Sequence, residues 1–317
     1  MKRTNIRYLN SSLTDDYDVF VCSSSFENRC LVAPQKLYKK HFDKVIIFHN
    51  KQGSEKNHQN AEELHRIFGK KAHLLALDYS NPIEIADTML SEIKRQPSRK
   101  KAKILADITT FTHEMLMIFL KIVAVKKNQV TVTCIYTNAE DYCPSCNVAQ
   151  KWLSRGCEEV HSILGYSGLL FPSQKNRLVI IVGYEHNRAA DVISALEPSF
   201  LTLVYGTPDN ATTDKNKDAN KLYLELVKEM SFDFPSIECV EIPCDNPDMT
   251  ADVLCKLYNT HVDENIIVIP MNNKLSTIGV AKSIMSMDHI QACYAPAVIY
   301  NESDYSTPGS SCYIYEL

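Results

Sequence analysis

Two stretches of this chain place reactive side chains directly after an apolar run. Asp107-Ile108-Thr109-Thr110-Phe111-Thr112-His113-Glu114 carries two acids, three threonines and a histidine. Asp107, His113 and Glu114 are candidates for general acid–base work, and Thr109 and Thr110 offer hydroxyls to a ligand. Part of the stretch also reads as a helix start, with Thr112 as cap and Glu114 in an acidic first turn. The second stretch is Cys22-Ser23-Ser24-Ser25-Phe26-Glu27-Asn28-Arg29. A simple N-cap needs one hydroxyl, whereas Ser23, Ser24 and Ser25 supply three, followed by the cation Arg29. Hydroxyls and free backbone N–H groups at a helix start suit a phosphate or another anion.

The second half of the chain answers the first in unchanged order. Asp18 to Ser23 lies over Leu178 to Gly183, and Phe26-Glu27-Asn28-Arg29 over Tyr184-Glu185-His186-Asn187-Arg188. Asp78 to Ile83 answers Cys244 to Met249, Ile104 to Thr110 answers Ile267 to Asn273, and Asn138 to Tyr142 answers Asn301 to Tyr305. A near-constant offset means one fold used twice. Arg188 therefore stands with Arg29 as a candidate ligand group, although retention of both Glu–Arg pairs favours salt bridges that fix the first helix. Asn272, Asn273 and Lys274 occupy the position of the Asp107 motif. They offer amides for a base edge or sugar and a cation for a phosphate.

The elements that must position these residues alternate. In the first half strands are predicted at 17–22, 44–49, 73–77, 102–108 and 130–136, with helices at 29–41, 57–68, 82–94 and 112–126. In the second half strands begin near Leu178, Leu201, Ile237 and Ile266, with a last one over 292–299. Helices lie near 189–196, 217–230, 249–258 and 277–285. Short continuous apolar runs such as Val45-Ile46-Ile47-Phe48 mark strands buried on both faces, and alternation with helices means a parallel α/β sheet. The fold class is thus α/β, with two tandem Rossmann-like open-sheet units: residues 1–142, a connector at 143–176, and 177–317. Ligands of such sheets bind outside the carboxyl ends of the strands, where the motifs above fall.

The connector holds Cys143, Cys146, Cys157 and His161 in a C-x2-C-x10-C-x3-H spacing, a zinc-knuckle pattern. Against it, Tyr142-Cys143-Pro144 aligns with the other repeat end, Tyr305 to Pro308, where no metal is suggested. No metal and no cofactor is expected.

With 317 residues there is room for two domains, each with its own core. A formal net charge of −4 gives no overall field toward nucleic acid or anionic membrane, so no direct nucleic-acid binding is expected. The densest basic patch, Lys94-Arg95 with Arg99-Lys100-Lys101, reads as a solvated helix end. No apolar run approaches the roughly 20 residues that span a bilayer. The start lacks a signal-like stretch, and many of the eleven cysteines sit in apolar runs, which together predict a reducing cytoplasm.

The Asp107-Ile108-Thr109-Thr110 strand end, with Ser23-Ser24-Ser25 after the first strand, resembles the CRISPR-associated Rossmann-fold (CARF) sensor domains. Two such units in one chain are similar to the fused SAVED sensors of bacterial antiviral effectors. That resemblance implies a nucleotide or cyclic oligonucleotide ligand at the strand ends. Without an attached effector domain, it also implies an effector protein subunit or a homodimer as partner. The function expected is a nucleotide-sensing subunit of prokaryotic antiviral defence. The alternatives are a nucleotide-processing hydrolase using Asp107, Thr109, His113 and Glu114, and a non-catalytic scaffold subunit. Tyr17 to Ser25 also resembles the first strand of TIR domains, some of which cleave NAD. Neither first-strand turn has the glycine fingerprint of a dinucleotide-binding dehydrogenase.

Overall fold

A computed structural model describes residues 1–93, 101–146, 150–207, 219–231, 234, 236–285 and 287–317. The predicted basic patch, apart from Lys101, lies outside the described residues, as does the start of the helix predicted over 217–230. The chain divides into two compact units, Met1–Asp141 with Ser306–Leu317, and Tyr142–Tyr305.

In the first unit the chain runs through β1 (Lys2–Asn5), the short α1 (Leu9–Ser12), β2 (Val19–Ser23) and α2 (Arg29–Leu37). It continues through β3 (Lys44–Asn50), α3 (Glu55–Phe68), β4 (Ala72–Leu77), α4 (Pro82–Glu92), β5 (Ala102–Asp107), α5 (His113–Val125) and β6 (Val130–Tyr142). In the second unit follow β7 (Ser154–Cys157), β8 (His161–Ser162), β9 (Asn176–Ile181), α6 (His186–Leu196), β10 (Phe200–Gly206) and α7 (Ala219–Met230). Then come β11 (Ile237–Ile242), α8 (Pro247–Thr260), β12 (Asn265–Pro270), α9 (Lys274–Ile284), β13 (Ile290–Tyr294) and β14 (Ala297–Tyr300). The last strand, β15 (Ser306–Glu316), belongs to the first unit.

Sheet order bears out the duplicated α/β reading. The first unit runs β1-β15-β6-β5-β2-β3-β4, and the second β11-β10-β9-β12-β13-β8. From β6 to β4 and from β13 to β11 every pairing is parallel. Counted from each unit's first parallel strand, both have the Rossmann order 3-2-1-4-5. The switch point therefore lies between β2 and β5 in one unit and between β9 and β12 in the other. The inner strands are buried on both faces, as their apolar runs require, while the third strand of each unit sits at an edge and is half exposed.

The helix starts follow local chemistry. Ser54, Asn81, Thr112, Asn246 and Asn273 each accept a backbone N–H of the first helical turn, in α3, α4, α5, α8 and α9. The matched Asn-Pro pairs, Asn81-Pro82 and Asn246-Pro247, are the same cap used twice. In the first unit Phe20, Phe42 and Phe68 cluster at 5.3 Å to 6.3 Å within a core shared with Leu37, Val45, Leu64 and Leu105. In the second, Leu178, Ile180, Val192, Leu203 and Tyr223 form the corresponding core.

The division of the chain differs from the predicted 1–142, 143–176 and 177–317. The connector residues join the second unit, since β8 pairs with β13 and β7 with β14. The single strand predicted over 292–299 is two strands in different sheets, broken at Ala295-Pro296, where proline has no N–H for a ladder. Beyond it, Cys312, Tyr313, Ile314 and Tyr315 are buried in the first unit's sheet, with β15 antiparallel to β1.

Gly183, at the end of the β9 run, makes a close approach that only glycine permits. A Cβ there would stand 2.4 Å from the Met271 carbonyl oxygen, which is backbone and cannot swing aside. Gly183→Ala is expected to cost about 1–3 kcal/mol, read as a lower thermal midpoint. An unchanged midpoint would mean that the two strand ends are not held this closely.

Candidate functional site

The strand ends at the switch point of the first unit carry the predicted residues, and most are already hydrogen-bonded to the fold. Ser23 and Ser24 are buried. The Ser23 hydroxyl lies 2.7 Å from the Tyr79 hydroxyl and donates to the Ser24 carbonyl at 3.0 Å. Ser24 donates to the Asn57 side chain at 2.9 Å. Ser25 is half-buried. Its hydroxyl accepts the Glu27 N–H at 3.2 Å, and its carbonyl accepts from Asn60 at 2.7 Å. Across the switch point, the Thr110 hydroxyl donates to the Ser23 carbonyl at 2.8 Å and ties the end of β5 to the end of β2.

Asp107 closes β5 at 2% exposure. One carboxylate oxygen accepts the Thr109 N–H at 3.1 Å and the Thr109 hydroxyl, which in turn accepts the Thr137 N–H of β6 at 3.0 Å. The other oxygen is buried with no hydrogen-bond partner. Burial raises the Asp107 pKa to about 6, against the lowering effect of Thr109 and, more weakly, Arg29. Burial first and Asp107 second raise the thiols of Cys22, Cys134 and Cys312, so this acid is surrounded by neutral sulfhydryls. His113 and Glu114, at 8% and 1% exposure, lie within the buried first turn of α5.

Arg29 is buried, paired with Glu27 at 2.7 Å, and donates from Nη1 to the Thr137 carbonyl at 3.2 Å. Glu27 also accepts from Ser306 at 2.6 Å. The second unit repeats the device: Arg188 pairs with Glu185 and donates to the Ala295 carbonyl at 2.9 Å, while Ser154 donates to Glu185. The predicted structural reading of these pairs accounts for the geometry of both arginines.

At the second unit's switch point, Asn272 donates to the Val182 carbonyl at 2.6 Å, as Thr110 does to Ser23, and accepts the Asn273 N–H at 2.8 Å. Asn273 caps α9 and donates to the Cys244 carbonyl at 2.9 Å. Lys274 opens α9 and is half-buried. His186 is buried and stacks on Tyr223, with ring centroids 5.2 Å apart. Burial lowers the His186 pKa.

A consistent difference separates the helices. α2 and α6, which follow the first parallel strand of each unit, and the short α1 have no side-chain cap hydrogen bond, whereas α3, α4, α5, α8 and α9 all do. The α2 cap position, Asn28, is exposed.

The four predicted zinc ligands do not meet. Cys143 and Cys146 come together with Asp304, their ligand atoms within 4.8 Å of one another. Cys157, at the end of β7, donates to the Glu158 carbonyl, and His161, in β8, lies against the Tyr294 ring. The wider spacing fails because β7 and β8 carry those two residues into pairings with β14 and β13. Asp304, the counterpart of Asp141 in the repeat-end match, takes their place beside the two cysteines, and no local spacing signals it because it lies far along the chain. Tyr79, Asn57 and Thr137, which hold the strand-end hydroxyls, also escaped the sequence pattern because their partners are distant in the chain.

No family model matches this chain, and no curated protein matches it. Among solved structures, a LacI family transcriptional regulator from Arthrobacter sp. FB24 in complex with lactose aligns at 8% identity and a TM-score of 0.22, over 90% of this chain and 99% of that one. A likeness that low carries no argument about function. Among the described residues, no helix is long and apolar enough to cross a membrane.

The buried acid makes a pH prediction. A carboxyl raised from 3.8 to about 6 on folding stabilises the fold fully below 3.8, and that contribution is lost as pH rises through about 6. The rise is worth about 3 kcal/mol. Asp107→Asn should therefore be more stable than the parent at pH 8, by up to about that amount, with the gain vanishing near pH 4. Parallel stability–pH curves from chemical denaturation would show that Asp107 is not desolvated.

Proposed function

We propose that this protein is a nucleotide-binding sensor subunit whose ligand sits at the carboxyl ends of the parallel strands. The observation that carries this reading is the pairing of position and chemistry at α2 and α6. Both helices begin at a switch point, where doubly wound sheets hold their ligands, and both begin without a side-chain cap. A phosphate or other anion is the group such a helix start receives best. Glu27 and Glu185 lie in the same turns, but their charge is matched by buried Arg29 and Arg188.

The sensor reading is favoured over the hydrolase because Asp107, His113 and Glu114 are all buried, away from a substrate arriving in solvent. A cyclic oligonucleotide as ligand, an effector subunit as partner and an antiviral setting rest on the CARF and SAVED resemblance alone.

The test uses Asn28, an exposed cap residue whose side chain makes no cap bond. Asn28→Asp puts a carboxylate where the ligand's anion would sit, yet suits the helix dipole, by about 0.3–1 kcal/mol. The free protein should keep or gain stability. A panel of mononucleotides, dinucleotides and cyclic oligonucleotides should raise the parent's thermal midpoint, by the equivalent of about 2.7 kcal/mol at a hundredfold excess over Kd. The variant should bind the same compound at least about tenfold more weakly, roughly 1.4 kcal/mol. A panel without any shift, or equal binding by the variant, would overturn the reading.

A further inference from the structure

The Cys143-Pro144-Ser145-Cys146 turn faces a second turn, Asn301-Glu302-Ser303-Asp304, in the same unit. Each is closed by its own backbone bond, Cys146 N–H to the Cys143 carbonyl at 3.0 Å and Asp304 N–H to the Asn301 carbonyl at 3.2 Å. The Cys143 N–H donates to the Tyr305 carbonyl at 3.1 Å, which locks the turns together. Two sulfurs and one carboxylate oxygen thereby converge within 4.8 Å. We propose that Cys143, Cys146 and Asp304 bind a zinc ion, with water in the fourth position.

The surroundings of the three groups match what a metal site requires beyond its ligands. Cys143 is buried, and the Asn301 side-chain amide donates to its sulfur at 3.5 Å. N–H donors aimed at a sulfur favour the thiolate that a metal needs. Ser145 donates to one oxygen of Asp304 through both its N–H, at 3.3 Å, and its hydroxyl, which orients the carboxylate.

Ligand chemistry selects the metal. Thiolates favour zinc over calcium, magnesium or manganese, and an iron–sulfur cluster would ask for four cysteines. Zn–S bonds of about 2.3 Å are reached from this spacing with small side-chain movement. Binding involves no redox change: two thiol protons leave to solvent as two Zn–S bonds form, so uptake weakens as pH falls. Three protein ligands and an open position is the arrangement of a zinc that can polarise water or take an outside ligand.

The full chain, reduced, loaded with zinc chloride and desalted, should retain about one zinc per molecule by elemental analysis. Cobalt loading should give a thiolate-to-metal charge-transfer band. Cys146→Ser and Asp304→Asn should keep the parent's circular dichroism and lose affinity by more than about tenfold in chelator competition. Cys157→Ser should match the parent, because that residue lies outside the cluster. A folded parent chain that takes up no zinc overturns the proposal, whether its Cys143 and Cys146 are free or joined in a disulfide. So does uptake unchanged in both ligand variants.

Discussion

The buried Glu–Arg pair at the start of each unit's first helix is the constraint on which the strand ends depend. Arg29 and Arg188, at 4% and 3% exposure, each hold a glutamate from their own turn and the carbonyl of Thr137 or Ala295 at the fifth strand. One guanidinium therefore ties together the loop after the first parallel strand and the far side of the switch point. A desolvated pair adds little against an apolar replacement, but an unpaired member is costly, about 3–5 kcal/mol. The serine that donates to each glutamate, Ser306 or Ser154, comes from another strand and satisfies a further lone pair. These requirements explain why Glu and Arg persist in both copies while neighbouring residues diverged.

Once that turn is fixed, the polar strand ends become mutual supports. Thr110 and Asn272 staple the fourth strand to the first in their respective units, and Thr109 links Asp107 to β6. The side chains that looked most ready for chemistry are therefore largely occupied in holding the crevice open at a set width. The helices that begin beside these strand ends, α2 and α6, do so without a side-chain cap hydrogen bond. Among the strand-end side chains Asp107 is the exception, an acid kept neutral up to about pH 6 in a shell of thiols.

Much of this was legible in the sequence. Apolar runs alternating with helical stripes gave both sheets, and the matched Asn-Pro and Glu–Arg motifs revealed one fold used twice, because local chemistry determines caps and strand burial. Long-range pairing was not legible. Nothing in Cys312-Tyr313-Ile314-Tyr315 says that it returns to the first unit beside β1, since register is set by partners far along the chain. The zinc-knuckle spacing misled for the same reason: Cys143 and Cys146 are local, but the carboxylate that joins them is Asp304. Hydroxyl runs such as Ser23-Ser24-Ser25 do not disclose whether they face a ligand or the Asn57 and Tyr79 side chains.

The most direct test of this account is a double-mutant cycle on the buried pair, with Glu27→Gln, Arg29→Met and the double variant compared by chemical denaturation. The account predicts that each single change destabilises by about 3–5 kcal/mol and that the double change costs far less than their sum, a coupling of more than about 1 kcal/mol. Additive losses, or singles that cost almost nothing, would contradict it, because the turn after the first strand would then be held by something other than this pair.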